Sequence, residues 1–122
     1  SGPAVVSAVG CYVAGRGVLS AAQLVIKRAD EIDGDDYEFI NHAADALRDK
    51  YPLAAALLLR SMIDFALKHK RTPRYKYVID HLQDCEKLDA DIVDYGIYKS
   101  HESYKDIFRK RDSLTTLIGP DF

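Results

Sequence analysis

The sequence has no tryptophan, a single methionine and only two cysteines. Cys11 and Cys85 are too far apart in the chain to form a Cys-x-x-Cys pair, which argues against a disulfide framework and fits a reducing cytosol. Charge of one sign is not in excess. The 17 Lys and Arg against 19 Asp and Glu leave a formal net charge of −2, so no overall positive field gathers nucleic acid or an anionic membrane. A long hydrophobic run is missing as well. The apolar stretch Pro52–Leu59 stops after eight residues and is followed by Arg60 and Asp64, whereas a membrane-spanning helix needs roughly 20. The N-terminus lacks the basic region of a secretory signal, and no segment sustains the period-two alternation of a strand.

What remains is helical spacing in a chain of 122 residues, 48% hydrophobic and 30% charged, which suits one packed domain over 1–122. Ser1-Gly2-Pro3 reads as a cloning remnant, and the abrupt entry into "AVVSAVGCYVAG" is expected of a piece of a longer protein. Residues 4–14 predict a modest helix ended by Gly15 and Gly17. Ser20 is the expected N-cap of a helix to about Ile32, with Ala21, Leu24, Val25, Arg28 and Ile32 on one face. "DGDD" then breaks the chain. There Gly34 suits a left-handed C-cap, and Asp35 with Glu38 resembles a capping box.

Tyr37, Ile40, Ala44, Leu47 and Tyr51 step by 3, 4, 3, 4 and predict the next amphipathic helix. Pro52 opens another, where a missing N–H costs nothing at the first position. Over 52–69 this helix is apolar around most of its circumference and is expected to be the most buried. Arg60 and Asp64, four apart, are expected to pair across one turn as a structural ion pair. Thr72 and Pro73 start a further helix, with Tyr75, Val78, Leu82 and Cys85 on its inner face. A short helical turn is expected over 89–95, closed by Gly96, and a last helix after Ser100 carries Tyr104, Ile107, Phe108 and Leu114. The fold class is all-α, with about six helices in consecutive antiparallel hairpins. "AAQLVIKRADEI" and "AAALLLRSMIDF" superpose at an offset of 33 residues, which suggests a short tetratricopeptide-like array.

Candidate chemistry is sparse. Tyr77, His81 and Cys85 share a helical stripe, but zinc wants four ligands and none of the other histidines stands at ligand spacing. A nucleophilic Cys85–His81 pair needs a lowered thiol pKa and an orienting third group. With no oxyanion loop or acidic partner in view, an enzyme ranks third among the readings. "GRG" at 15–17 lacks the rest of a phosphate-loop fingerprint. "DGDD" lacks the order of an EF-hand. No catalytic residue, metal or cofactor is assigned.

The surface is more informative. "KHKRTPRYK" holds five cations (Lys68, Lys70, Arg71, Arg74 and Lys76) with Tyr75 and Tyr77 beside them. An acidic run containing Asp33, Asp35 and Asp36 lies on the preceding hairpin loop, at the same end of the expected array. The two runs either pair with each other or form a bipolar docking edge.

Over "DGDDYEFINHAADAL", "YPLAAALLLRSMIDFAL", "RYKYVIDHLQDC" and "SHESY", the chain resembles the C-terminal part of a helical family of uncharacterised, mostly proteobacterial proteins. Its members form a domain of unknown function and are sometimes loosely annotated with SWIM zinc-finger proteins. The resemblance covers roughly residues 20–108. The ending "RKRDSLTTLIGPDF" departs from the basic, aromatic ending of such relatives, and no zinc-finger Cys/His signature is present, so zinc does not carry over. The resemblance implies a helical-repeat-like fold, a longer parent protein and a bacterial cytosol, and brings no established activity. The expected function is a non-enzymatic protein–protein interaction or scaffolding module without membrane contact. The alternative is a nucleic-acid-associated module using the basic 68–76 segment.

Overall fold

The structure, a computed structural model, describes residues 8–10 and 17–109. Residues 8–10 are helical; the rest of the helix expected over 4–14, and Leu114, lie outside the described residues. Five longer helices follow: α1 (Val18–Lys27), α2 (Tyr37–Leu47), α3 (Pro52–Lys68), α4 (Tyr75–Asp89) and α5 (His101–Arg109). Single 3-10 turns, Ala29–Glu31 and Thr72–Arg74, lie after α1 and before α4. No strand occurs among the described residues, and none of their helices is long and apolar enough to cross a membrane. The all-α expectation holds.

Helix α3 is the hub, with α1, α2 and α4 each packed against it. From Ala54 to Arg60 it is buried without interruption, because its sequence leaves no polar stripe for water. Three consecutive alanines let the flanking helices approach closely, and Leu57, Leu58 and Leu59 fill the space between them. Each large aliphatic side chain buried this way contributes about 1.5–3 kcal/mol relative to exposure.

Around the first half of α3 the core is completed by Val25, Ile40 and Leu47 and, from α4, by Cys85 and Leu88. Around its second half, Ile63, Ala66 and Leu67 pack with Val78, Leu82, Tyr104 and Phe108. Helix α1 lies mainly on α3 and only lightly on α2, its hairpin neighbour. In a stacked array each repeat packs on its neighbours, and this central-rod arrangement does not by itself establish a tetratricopeptide-like repeat.

Helix ends differ from expectation in instructive ways. Helix α1 starts at Val18, with Gly17 rather than Ser20 at the cap position. The Asp35–Glu38 capping box does not form: Asp36 occupies the cap without a side-chain bond, and Asp33 Oδ1 instead accepts the Asp35 N–H at 3.0 Å. Thr72 lies inside its 3-10 turn instead of capping the helix.

Gly34 has no positive φ. A Cβ there would lie 2.1 Å from the Ser61 carbonyl oxygen and 2.6 Å from Phe65 Cβ. Glycine is needed at that position because the loop presses against α3, and not because of helix-ending geometry. The left-handed glycine is Gly96, at φ 61°; its N–H donates to Asp94 Oδ1 at 2.8 Å. It stands in an irregular connection over 90–100, where the short helix expected over 89–95 is absent. That connection is tied down by the Tyr98 hydroxyl, which donates to the Ile26 carbonyl of α1. Ser100 does cap the last helix as expected: its Oγ accepts the Ser103 N–H at 3.2 Å.

Candidate functional site

Two arginine–tyrosine constellations flank α3. The first is the seam under α5. Arg60 is 6% exposed, and its Nη1 donates to the Lys99 carbonyl at 2.8 Å. Its guanidinium lies 4.4 Å from the Tyr104 ring centroid and 5.3 Å from that of Tyr95, positions that favour cation–π attraction.

The expected partners Arg60 and Asp64 both meet Tyr104. Asp64 accepts the Tyr104 hydroxyl at 2.7 Å, so Tyr104 joins the two side chains. Arg60 reaches the 90–100 connection through Nη1, while its buried Nε has no hydrogen-bond partner among the described residues. Burial pushes the Tyr104 hydroxyl up, with the Asp64 carboxylate adding to the shift. Tyr95 is raised for the same first reason, and its hydroxyl donates to Asp89 Oδ1 at 2.5 Å.

Beside them His101 is only 2% exposed, and neither ring nitrogen has a hydrogen-bond partner. Burial holds it below the ordinary histidine range, and Lys105 and Arg60 push the same way against Asp89 and Glu86. The Lys105 ammonium reaches Glu102 at 3.1 Å and Glu86 at 3.6 Å. Arg60, His101, Tyr104 and Lys105 are buried, and the exposed Glu86 and Glu102 hold Lys105 from the rim, so that α5 is tied to α3 and α4.

The second constellation opens to solvent. A cleft of about 510 Å³ runs between α2 and α4, within the size range of small-ligand and peptide side-chain sites. Met62 and Ala66 of α3 form its floor. Tyr37 and Asn41, one turn apart on α2, line one side, and Tyr77 and His81, one turn apart on α4, line the other. Gly34 and Arg74 also line it.

Tyr37 and Tyr77 are 49% and 51% exposed. The sequence pattern placed Tyr37 on the inner face of its helix. As the first residue of α2 it projects past the core and meets Arg74 instead. Arg74 lies 5.1 Å from the Tyr37 ring centroid and 5.4 Å from that of Phe65, and its Nη2 donates to Asp35 Oδ1 at 2.7 Å. The acidic and basic runs thus meet at one point. Lys76 stands 5.1 Å from the Tyr77 ring centroid.

The other cations have different surroundings. Lys68 lines a separate hollow with Asp30, Asp33 and Asp64. Lys70 is exposed at φ 51°, and Arg71 packs 5.8 Å from the Phe65 centroid. Asp36 is exposed at the start of α2. Of the five cations of 68–76, Arg74 and Lys76 line the cleft, and Arg71 shares the Phe65 ring with Arg74.

His81 and Cys85 also separate by role. His81 faces the cleft and is held low by burial, against the pull of Asp84 and Asp80. Cys85 packs inward, 3.9 Å from the Ala56 carbonyl, and burial pushes its thiol up to about 12. A nucleophile or metal ligand has to be a thiolate, and this environment keeps the proton on. Among the described residues no three His, Cys, Asp or Glu side chains gather as a metal site.

Asn41, Met62 and His81 were legible as parts of helices but not as a cleft. The available sequence signal was only that a tyrosine stands four residues before a polar side chain on each helix, Tyr37 before Asn41 and Tyr77 before His81. Comparison with curated proteins and with solved structures finds no match. One family signature does match, over residues 3–113, and the chain belongs to that family of unknown function, DUF6880.

Proposed function

We propose that the chain is a non-enzymatic docking module of a longer bacterial cytosolic protein, and that it holds a peptide segment of a partner in the α2–α4 cleft. The observation that carries this reading is the composition of the cleft. It combines an apolar floor with two half-exposed tyrosines and an arginine already held in place by Asp35 and two rings. Tyrosine and arginine are enriched among the residues that carry binding energy at interfaces, and the contacts of Arg74 with Asp35 and two rings already restrict its side chain. Two of the five cations of 68–76, Arg74 and Lys76, line the cleft; that favours peptide over nucleic acid, which needs phosphate-binding cations in register along a backbone.

The test is selection of a displayed random linear-peptide library on the domain, followed by NMR mapping. Selected peptides should shift the amides of Tyr37, Asn41, Tyr77 and His81 and leave α5 unchanged. No enrichment, or shifts confined to other surfaces, would overturn the reading.

A further inference from the structure

The chemistry of the cleft points to the character of its occupant, an inference that rests on the docking role proposed above. We infer that the cleft takes an acidic peptide segment, a carboxylate next to an aromatic side chain, with Asp35 as an internal competitor for Arg74.

The charged residues lining the cleft are Arg74 and Lys76, with His81 beside them, and no carboxylate lines it among the described residues. Asp35 meets Arg74 at the edge of the cleft, and Asp80 and Asp84 act on His81 from α4, so the cationic groups presented to the lining are those of Arg74 and Lys76. Complementarity of sign selects an anionic partner and excludes a cationic one.

Arg74 is arranged for a second acceptor. Of its five donors, the hydrogen bond it makes within the described protein is the one from Nη2 to Asp35. Its side chain keeps 30% of its exposure, and Asp35 keeps 50%. The Tyr37 and Phe65 rings fix the plane of the guanidinium, so little freedom is lost when a carboxylate binds. Lys76 forms no ion pair with the described residues and supplies a second charge. Tyr37, Tyr77 and the Met62 floor offer ring faces and a pliable sulfur to an aromatic side chain.

Asp35 occupies the determinant that the ligand needs. Whether an incoming carboxylate displaces Asp35 or binds alongside it, the Asp35 charge opposes it. Neutralising Asp35 therefore strengthens binding, which a purely structural ion pair would not do.

The probes are fluorescein-labelled peptide pools with a central Glu-Trp-Glu flanked by randomised neutral residues, and matching pools with Gln or Lys in place of Glu. Fluorescence anisotropy at low salt is measured for the wild type, Asp35→Asn and Arg74→Ala, with circular dichroism confirming that each is folded. The Glu pool is expected to bind the wild type and to tighten about two- to five-fold on Asp35→Asn, the range of an exposed ion pair. It should weaken about tenfold or more on Arg74→Ala and weaken as salt rises.

Equal binding of the Gln or Lys pool, with shifts mapping to the cleft, would overturn this inference and leave the docking role standing. No binding by any pool would sink both. Labelled single-stranded RNA that binds better than the Glu pool and tightens on Asp35→Asn would assign the anion site to phosphate instead and overturn the acidic-peptide occupant.

Discussion

Arginine meets tyrosine on two sides of α3, with opposite outcomes. Under α5, Arg60 is enclosed by the Tyr104 and Tyr95 rings and the Lys99 carbonyl. Over the α2–α4 cleft, Arg74 rests on Tyr37 and Phe65 with part of its guanidinium still in water. The residue types are nearly the same. Burial is what separates an internal fastener from a surface able to bind, because removing water makes every polar contact obligatory in the first place and optional in the second.

That contrast makes measurable claims. The largest effect is expected from Arg60→Ala, which removes a charge-assisted hydrogen bond and two ring contacts from a dry site. It should lower the urea-unfolding free energy by about 2–3 kcal/mol. Arg60→Lys should recover little of this, because a compact ammonium does not cover two rings while reaching the Lys99 carbonyl.

Next is acid sensitivity. His101 and His81 both sit below the ordinary histidine value in the fold. Stability should therefore be full above about pH 6.5. It should fall as pH drops from there toward the folded-state values, because only the unfolded chain takes up these protons in that window. The slope is bounded at about 1.4 kcal/mol per pH unit for each histidine. Unfolding curves between pH 5.5 and 7.5 should flatten in His101→Gln, and an unchanged slope there would mean that the seam is wet.

The smallest effect is that of Arg74→Ala on stability, below about 1 kcal/mol, as for other exposed ion pairs. If it costs as much as Arg60→Ala, the cleft is structural and the comparison fails.

The sequence exposed some of this directly. Pro52 marks the start of α3, the apolar circumference identifies it as the most buried helix, and Ser100 caps α5. Each of these is a rule about neighbours within a few residues. The partners of Arg60 were not legible. Asp64 has the favoured spacing, but the carbonyl of Lys99 and the ring of Tyr104, 39 and 44 positions away, meet Arg60 in space. Tyr37 had the spacing of a core residue and became a wall of the cleft. Gly34 had the position of a helix terminator, and its real constraint is the backbone of α3.

The linear chain alone thus determined that the protein is helical, where most helices run and which helix is central, because hydrophobic periodicity and proline act locally. Only the tertiary structure decided which charges are locked away and which face a cleft, including the meeting of Asp35 with Arg74. A side chain's partner is set by which helix faces abut and how much water they exclude, and periodicity along one helix carries no information about either.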